Sequence, residues 1–219
     1  QGKDPWIGTA NAYGPIHNLF AVFNYINPVL PNLIFLLVFF VSVYYSCFSE
    51  INFTRDITNK ARNLLFLLFC FCPFSLITVS VYGNNDSVVA GLMTISIILC
   101  IKKNKQEFFS GVMLGIATML KFYPLIIFPV LAYNNRILSF KFLSGFISSV
   151  TLISLSSLGL WGKSIFTPIL FAGGRSSKHL SIFNFSRTIL NYDLDSLSIF
   201  FVIISFVLLL SLLYYFNVD

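Results

Sequence analysis

Residues 83–141 read GNNDSVVAGLMTISIILC (83–100), IKKNKQEFFSGVMLGIATML (101–120) and KFYPLIIFPVLAYNNRILSFK (121–141). A polar turn, Gly83-Asn84-Asn85-Asp86, opens the stretch. An apolar helix is expected over about 86–101, with Asp86 in its first turn, where a carboxylate complements the helix dipole. Lys102, Lys103 and Lys105 make a basic loop. The next apolar piece carries Gly111 and Gly115, a small-xxx-small spacing that lets helices approach closely. It runs into a lone lysine, in Lys121-Phe122-Tyr123-Pro124. A lysine inside an apolar run is costly in a bilayer, and that cost marks it as a functional candidate.

The rest of the chain extends the same pattern on both sides. Residues 1–27 read as an external loop followed by an interfacial helix over 15–26, too short and too interrupted by His17, Asn18 and Asn24 to span. Apolar segments follow at about 28–48, 63–82, 86–101, 108–133, 142–160 and 196–216, with Pro73 as an expected kink in the second. A polar segment, 161–195, precedes the last of them. Only 10% of residues are charged and 57% are hydrophobic, against about 25% charged in a soluble domain. The fold class expected is all-α: a polytopic membrane helical bundle with short or re-entrant helices and the interfacial N-terminal helix. The runs do not alternate as barrel strands would.

The net charge of +6 sits in short loops between apolar runs. It reads as cytoplasmic lysines that orient helices, not as a nucleic-acid surface. Loop 49–62 holds Arg55, Lys60 and Arg62, and loop 102–107 holds three lysines, whereas the turn at 83–86 holds none. The two basic loops are therefore assigned to the cytoplasm, and the turn at 83–86 to the outside. Segment 108–133 has two readings: one kinked span, or two half-length helices in a hairpin with Lys121 to Pro124 near the apex. Arg136 and Lys141 favour the hairpin, and the basic residues of 161–195 pull against it. Cys47, Cys70, Cys72 and Cys100 lie in or beside apolar runs without metal-ligand spacing, so they read as free thiols with no metal site and no cofactor. No Walker A, dinucleotide-binding or zinc-protease motif is present.

Each candidate residue has a functional and a bland reading. Lys121 and Tyr123 could hold an anionic headgroup or lipid phosphate; equally, the lysine could snorkel from a helix end. Asp86 and Asn85 could position a sugar hydroxyl, or simply start a helix. His17 could be a base or a phosphate contact, or an ordinary interfacial histidine. Arg175 and Lys178, after Gly173-Gly174, could bind an anion or face solvent.

The block over 83–136 resembles the central region of GT-C fold glycosyltransferases, notably glycosyltransferase family 87 and the catalytic subunit of GPI mannosyltransferase I. The carriers of the resemblance are Gly83-Asn84-Asn85-Asp86, Lys121-Phe122-Tyr123-Pro124, and an N-terminal GKDPW followed by NAYGPIHNLF, with Trp6 where the family has Tyr. It covers residues 1–136; the remainder matches in hydropathy. The resemblance implies a polyprenyl- or dolichyl-phosphate sugar donor, typically of mannose, a glycan or glycolipid acceptor, and inverting transfer at the extracytoplasmic face. On that footing Lys121 is the expected donor-phosphate contact, with Arg175 or Lys178 assisting, and Asp86 and Asn85 are expected to shape the sugar or acceptor pocket; Tyr123 and His17 stand beside them as candidate substrate-binding residues from the reading of the residues themselves. It places the catalytic acid upstream of GKDPW, so the chain is expected to be an internal piece and Asp4 is not given that role. The expected setting is a multi-pass protein of a prokaryotic plasma membrane ahead of the endoplasmic reticulum. A transporter or flippase of lipid-linked sugars is the alternative, and a non-catalytic partner subunit a third.

Overall fold

The computed structural model describes residues 14–49, 58–77, 79, 85–101, 106–134 and 137–168, with positions 189, 200, 203, 204, 207, 208 and 211. The described elements are α1 (Pro15–Ile26), α2 (Leu30–Phe48), α3 (Asn59–Cys70), α4 (Pro73–Leu76), α5 (Asp86–Ile101), α6 (Glu107–Leu120), a 3-10 helix (Tyr123–Ile127), α7 (Phe128–Ala132), α8 (Phe140–Trp161) and a second 3-10 helix (Gly162–Phe166). Between α7 and α8 lies a two-residue antiparallel pair, β1 (Tyr133–Asn134) with β2 (Ile137–Leu138). The described residues are all-α apart from this pair.

Local chemistry sets the boundaries. Proline stands in the first turns of α1 and α2, where its missing N–H costs nothing. Thr58 caps α3 by accepting a hydrogen bond from the Ala61 amide at 3.3 Å. The apolar run at 63–82 is divided: α3 stops at Cys70 and α4 restarts at Pro73. Proline keeps the preceding residue out of helical backbone geometry, which makes an interruption there instead of a bend. Ser139 caps α8 through the Phe142 amide, and Gly162, at φ 59°, ends it.

Large apolar residues fill the core and also cover the outward faces. Leu33, Leu37, Val41 and Tyr44 of α2, five large apolar residues of α3, and Leu152, Leu155 and Leu160 of α8 point outward. Small and hydroxylated residues fill the seams: Ser96, Ser110 and Ser149 are buried among them. Water would penalise such outward faces and lipid does not, while small seam residues let backbones approach in a bilayer. Among the described residues, Leu30–Phe48 and Phe140–Phe166 are long and apolar enough to cross a membrane; α5, α6 and the segment 123–132 are shorter.

Two seams build the core. In the first, α5 and α6 run antiparallel, with a reciprocal clasp between Ser96 and Ser110. Each Oγ donates to the other's carbonyl, at 2.8 and 2.7 Å. In the second, α6 and α8 lie side by side in parallel. A Cβ on Gly111 would strike the Phe142 carbonyl, one on Gly115 the Ser149 hydroxyl, and one on Gly145 the Phe108 carbonyl. Numbers rise together on both helices, so α8 starts where α6 starts. The chain between them must therefore come back along the length of α6. It does so through the 3-10 helix and α7, whose Leu131 and Ala132 pack with Cys100, Leu114 and Phe142. Ser139 then closes the return, its amide donating to the Ala132 carbonyl at 2.9 Å and its hydroxyl to Glu107 Oε2 at 2.7 Å.

Candidate functional site

The antiparallel register of α5 and α6 dictates what meets at the far end. From the Ser96–Ser110 clasp, about ten residues back along α5 and about as many forward along α6 span roughly 15 Å each. They end at Asp86 and Lys121, which form an ion pair. Both charges sit at favourable helix ends. Asp86 opens α5, and Lys121 is the C-cap of α6, its amide donating to the Ala117 carbonyl at 3.0 Å. The partners differ in exposure, with the lysine side chain 19% accessible and the aspartate 52%. Lys121 is held by the structure, whereas Asp86 faces out.

The start of α1 docks on the same end. The Gly14 amide donates to the Leu120 carbonyl at 2.9 Å, and a Cβ at Gly14 would collide with the Met119 carbonyl. Glycine is thus needed there for close backbone approach. One turn later His17 meets Asn85, with Asn85 Nδ2 3.1 Å from His17 Nδ1. An amide nitrogen can only donate, so Nδ1 accepts and the imidazole proton lies on Nε2. Burial, then the nearby Lys121 charge, hold His17 below its ordinary value of 6.5, so the ring is neutral at pH 7. Tyr123, the first residue of the 3-10 helix, is exposed and within electrostatic reach of Asp86.

Five of the candidate residues, His17, Asn85, Asp86, Lys121 and Tyr123, therefore gather at one end of the α5–α6 pair. Arg175 and Lys178 lie outside the described residues, as do Asp4, Gly83, Asn84, the lysines of 102–105, Arg136 and most of 196–216. The sequence reading missed Gly14 as a docking point and Asn85 as the partner of His17. The one local signal was the Gly14-Pro15 helix start; the partnership across 68 positions has none. A groove of about 280 Å³ opens beside the site between α2 and α5, reaching from Ser87 to Thr94 and lined by Phe39, Ser42, Val43 and Phe69. Its Ser42, Ser46 and Thr94 hydroxyls donate to carbonyls of their own helices. The surface left to an occupant is apolar.

Chemically, this end offers a mostly buried cation, a half-exposed carboxylate, a neutral imidazole and a phenol, beside an apolar trough. The sequence profile of glycosyltransferase family 87 matches residues 12–216, which takes in every described element. Comparison with curated proteins and with solved structures returned no match.

Proposed function

The chain belongs to glycosyltransferase family 87, and on that footing we propose that it transfers mannose from a polyprenyl- or dolichyl-phosphate donor to a glycan or glycolipid acceptor at the extracytoplasmic face. Membership makes it a membrane glycosyltransferase and sets the transporter alternative aside. The observation that carries the finer reading is the convergence of Lys121 with Asp86, Asn85 and His17 at one end of the bundle. That end is opposite Glu107, which adjoins the basic loop 102–105, so a cytoplasmic basic loop puts Lys121 at the outer face. The outward run of α6 and the return through 121–134 then make a re-entrant segment within a multi-pass protein. Such broken backbone is tolerated at membrane depth where it lines a polar cavity.

Lys121 binds the donor phosphate as a point charge, with Tyr123 beside it. Arg175 and Lys178 assist from the segment 161–195. The donor's lipid chain lies along the apolar groove that begins at Ser87. Asn85, Asp86 and His17 shape the sugar and acceptor side, His17 offering Nε2–H as a neutral donor. In the displacement, the acceptor hydroxyl oxygen forms a bond to the anomeric carbon while the bond from that carbon to the phosphate oxygen breaks. The electron pair stays on the phosphate, stabilised by Lys121, and the hydroxyl proton passes to a carboxylate base. None of the five converging residues is assigned as that base.

The test is transfer of labelled mannose from polyprenyl-phosphate mannose in membranes, for the native protein and Lys121→Ala. Loss of one charge-assisted contact predicts a fall in kcat/KM of about tenfold to a hundredfold. Unchanged donor-saturation behaviour would remove the phosphate role. Transfer of a different sugar from the same carrier would correct the substrate while leaving the site.

A further inference from the structure

We propose that Asp86 is the resting counter-ion of Lys121, displaced when the donor phosphate binds and returning to expel the phosphate product. The proposal rests on the reading of Lys121 as the phosphate contact. Its structural basis is the asymmetry of the ion pair. Lys121 is fixed by the end of α6 and mostly buried, while the Asp86 carboxylate is about half exposed. When a second anion arrives, Asp86 is the partner that can leave, because solvent is already at hand to hydrate it. Asp86 also keeps a favourable place at the start of α5 after it lets go of the lysine.

The chemistry of the reaction makes such a counter-ion useful. The donor is a phosphodiester with one negative charge. Once the bond from the anomeric carbon to phosphate oxygen breaks, the leaving group is a phosphate monoester. With a second pKa near 6, that monoester carries most of a second negative charge at neutral pH. A lone lysine would therefore hold the product more tightly than the substrate. A carboxylate tethered within ion-pair reach competes for the same ammonium group and offsets that preference. No further atom or electron moves in this step: one anion replaces another at Lys121.

The experiment uses the full-length protein in detergent and farnesyl phosphate, a short-chain monophosphate, as the probe. Its dissociation constant is measured by titration calorimetry, with farnesol as the uncharged control. Asp86→Asn should tighten farnesyl phosphate binding by about two- to fivefold, the range expected for removing a partly exposed competing ion pair, and leave farnesol unchanged. Lys121→Ala should weaken farnesyl phosphate by about tenfold or more. The double variant should match Lys121→Ala, because the counter-ion has nothing left to neutralise. A melting curve accompanies each variant, and Asp86→Ser replaces Asp86→Asn if the latter does not fold. Unchanged or weaker binding in the Asp86 variants, with Lys121→Ala still defective, overturns the counter-ion role and leaves the phosphate site standing. Farnesyl phosphate binding that is indifferent to Lys121→Ala overturns both.

Discussion

Near the 101–107 end of the α5–α6 seam, Ser96 and Ser110 hold each other's carbonyls; at the other end, Asp86 holds Lys121. Both contacts join the same two helices and both are polar. They differ in what surrounds them. The serines are fully buried, neutral and mutually satisfied, so each can be sealed in the seam at little cost. The ion pair is only partly enclosed, and one member faces out. A satisfied neutral clasp in the interior sets register and offers nothing to a ligand. A charged pair at the rim, made by that register, can exchange one partner for another. The comparison separates the residues that build the site from the residues that act in it.

The largest effect should come from attacking the packing on which both contacts depend. Gly145→Leu drives a side chain into the Phe108 carbonyl, where backbone has no room to give. It is expected to destabilise by about 3 kcal/mol or more and to abolish both contacts at once. Size-exclusion profiles and thermal melts in detergent would register it, and a native-like melt would mean that α6 and α8 are not in this close parallel contact. Next comes Lys121→Ala, which should lose transfer activity while melting within about 1 kcal/mol of the native protein, as expected for a partly exposed pair. A large loss of stability instead would make the ion pair structural, like the serine clasp.

Smaller still is the reverse experiment at the clasp. Ser96→Ala with Ser110→Ala should cost about 1 kcal/mol, in keeping with the modest worth of interhelical hydrogen bonds in membranes. Specific activity per folded molecule should be unchanged, because neither hydroxyl is near the rim. The smallest effect is a pH dependence at His17. Its folded value lies below the ordinary 6.5, so the unfolded chain binds the proton more readily. Stability is then full above about pH 6.5 and declines as pH falls from there toward the folded value. Melting temperature measured from pH 7.5 to pH 5 should fall less steeply in His17→Gln than in the native protein. Equal slopes would mean that burial and the Lys121 charge do not hold the imidazole neutral.

Much of this was legible residue by residue. Asp86 and Lys121 stand out because charge is rare in an apolar chain and must be explained wherever it occurs. The extents of α1, α2 and α5 follow from prolines, an acidic first residue and apolar run length. The division at Cys72-Pro73 was harder to see, since proline in an apolar run can bend a helix or stop it, and only the surrounding packing chooses. Gly111 and Gly115 announced a close approach without naming the neighbour. The spacing fits any helix with a facing backbone, and α8 became that helix because Gly145 and Ser149 present matching small surfaces.

The sequence by itself determined that this is an all-helical membrane chain with two unusual polar points, because composition, run length and the cost of a charge in lipid act locally. The tertiary structure alone decided that these points face each other. Asp86 meets Lys121 across 35 positions, and Asn85 meets His17 across 68. It also decided that the chain after Lys121 turns back instead of continuing. Helical periodicity specifies which face of a helix is apolar but not which helix covers it. Partnership is set by where small residues let backbones touch, and that condition is met only when both helices are present.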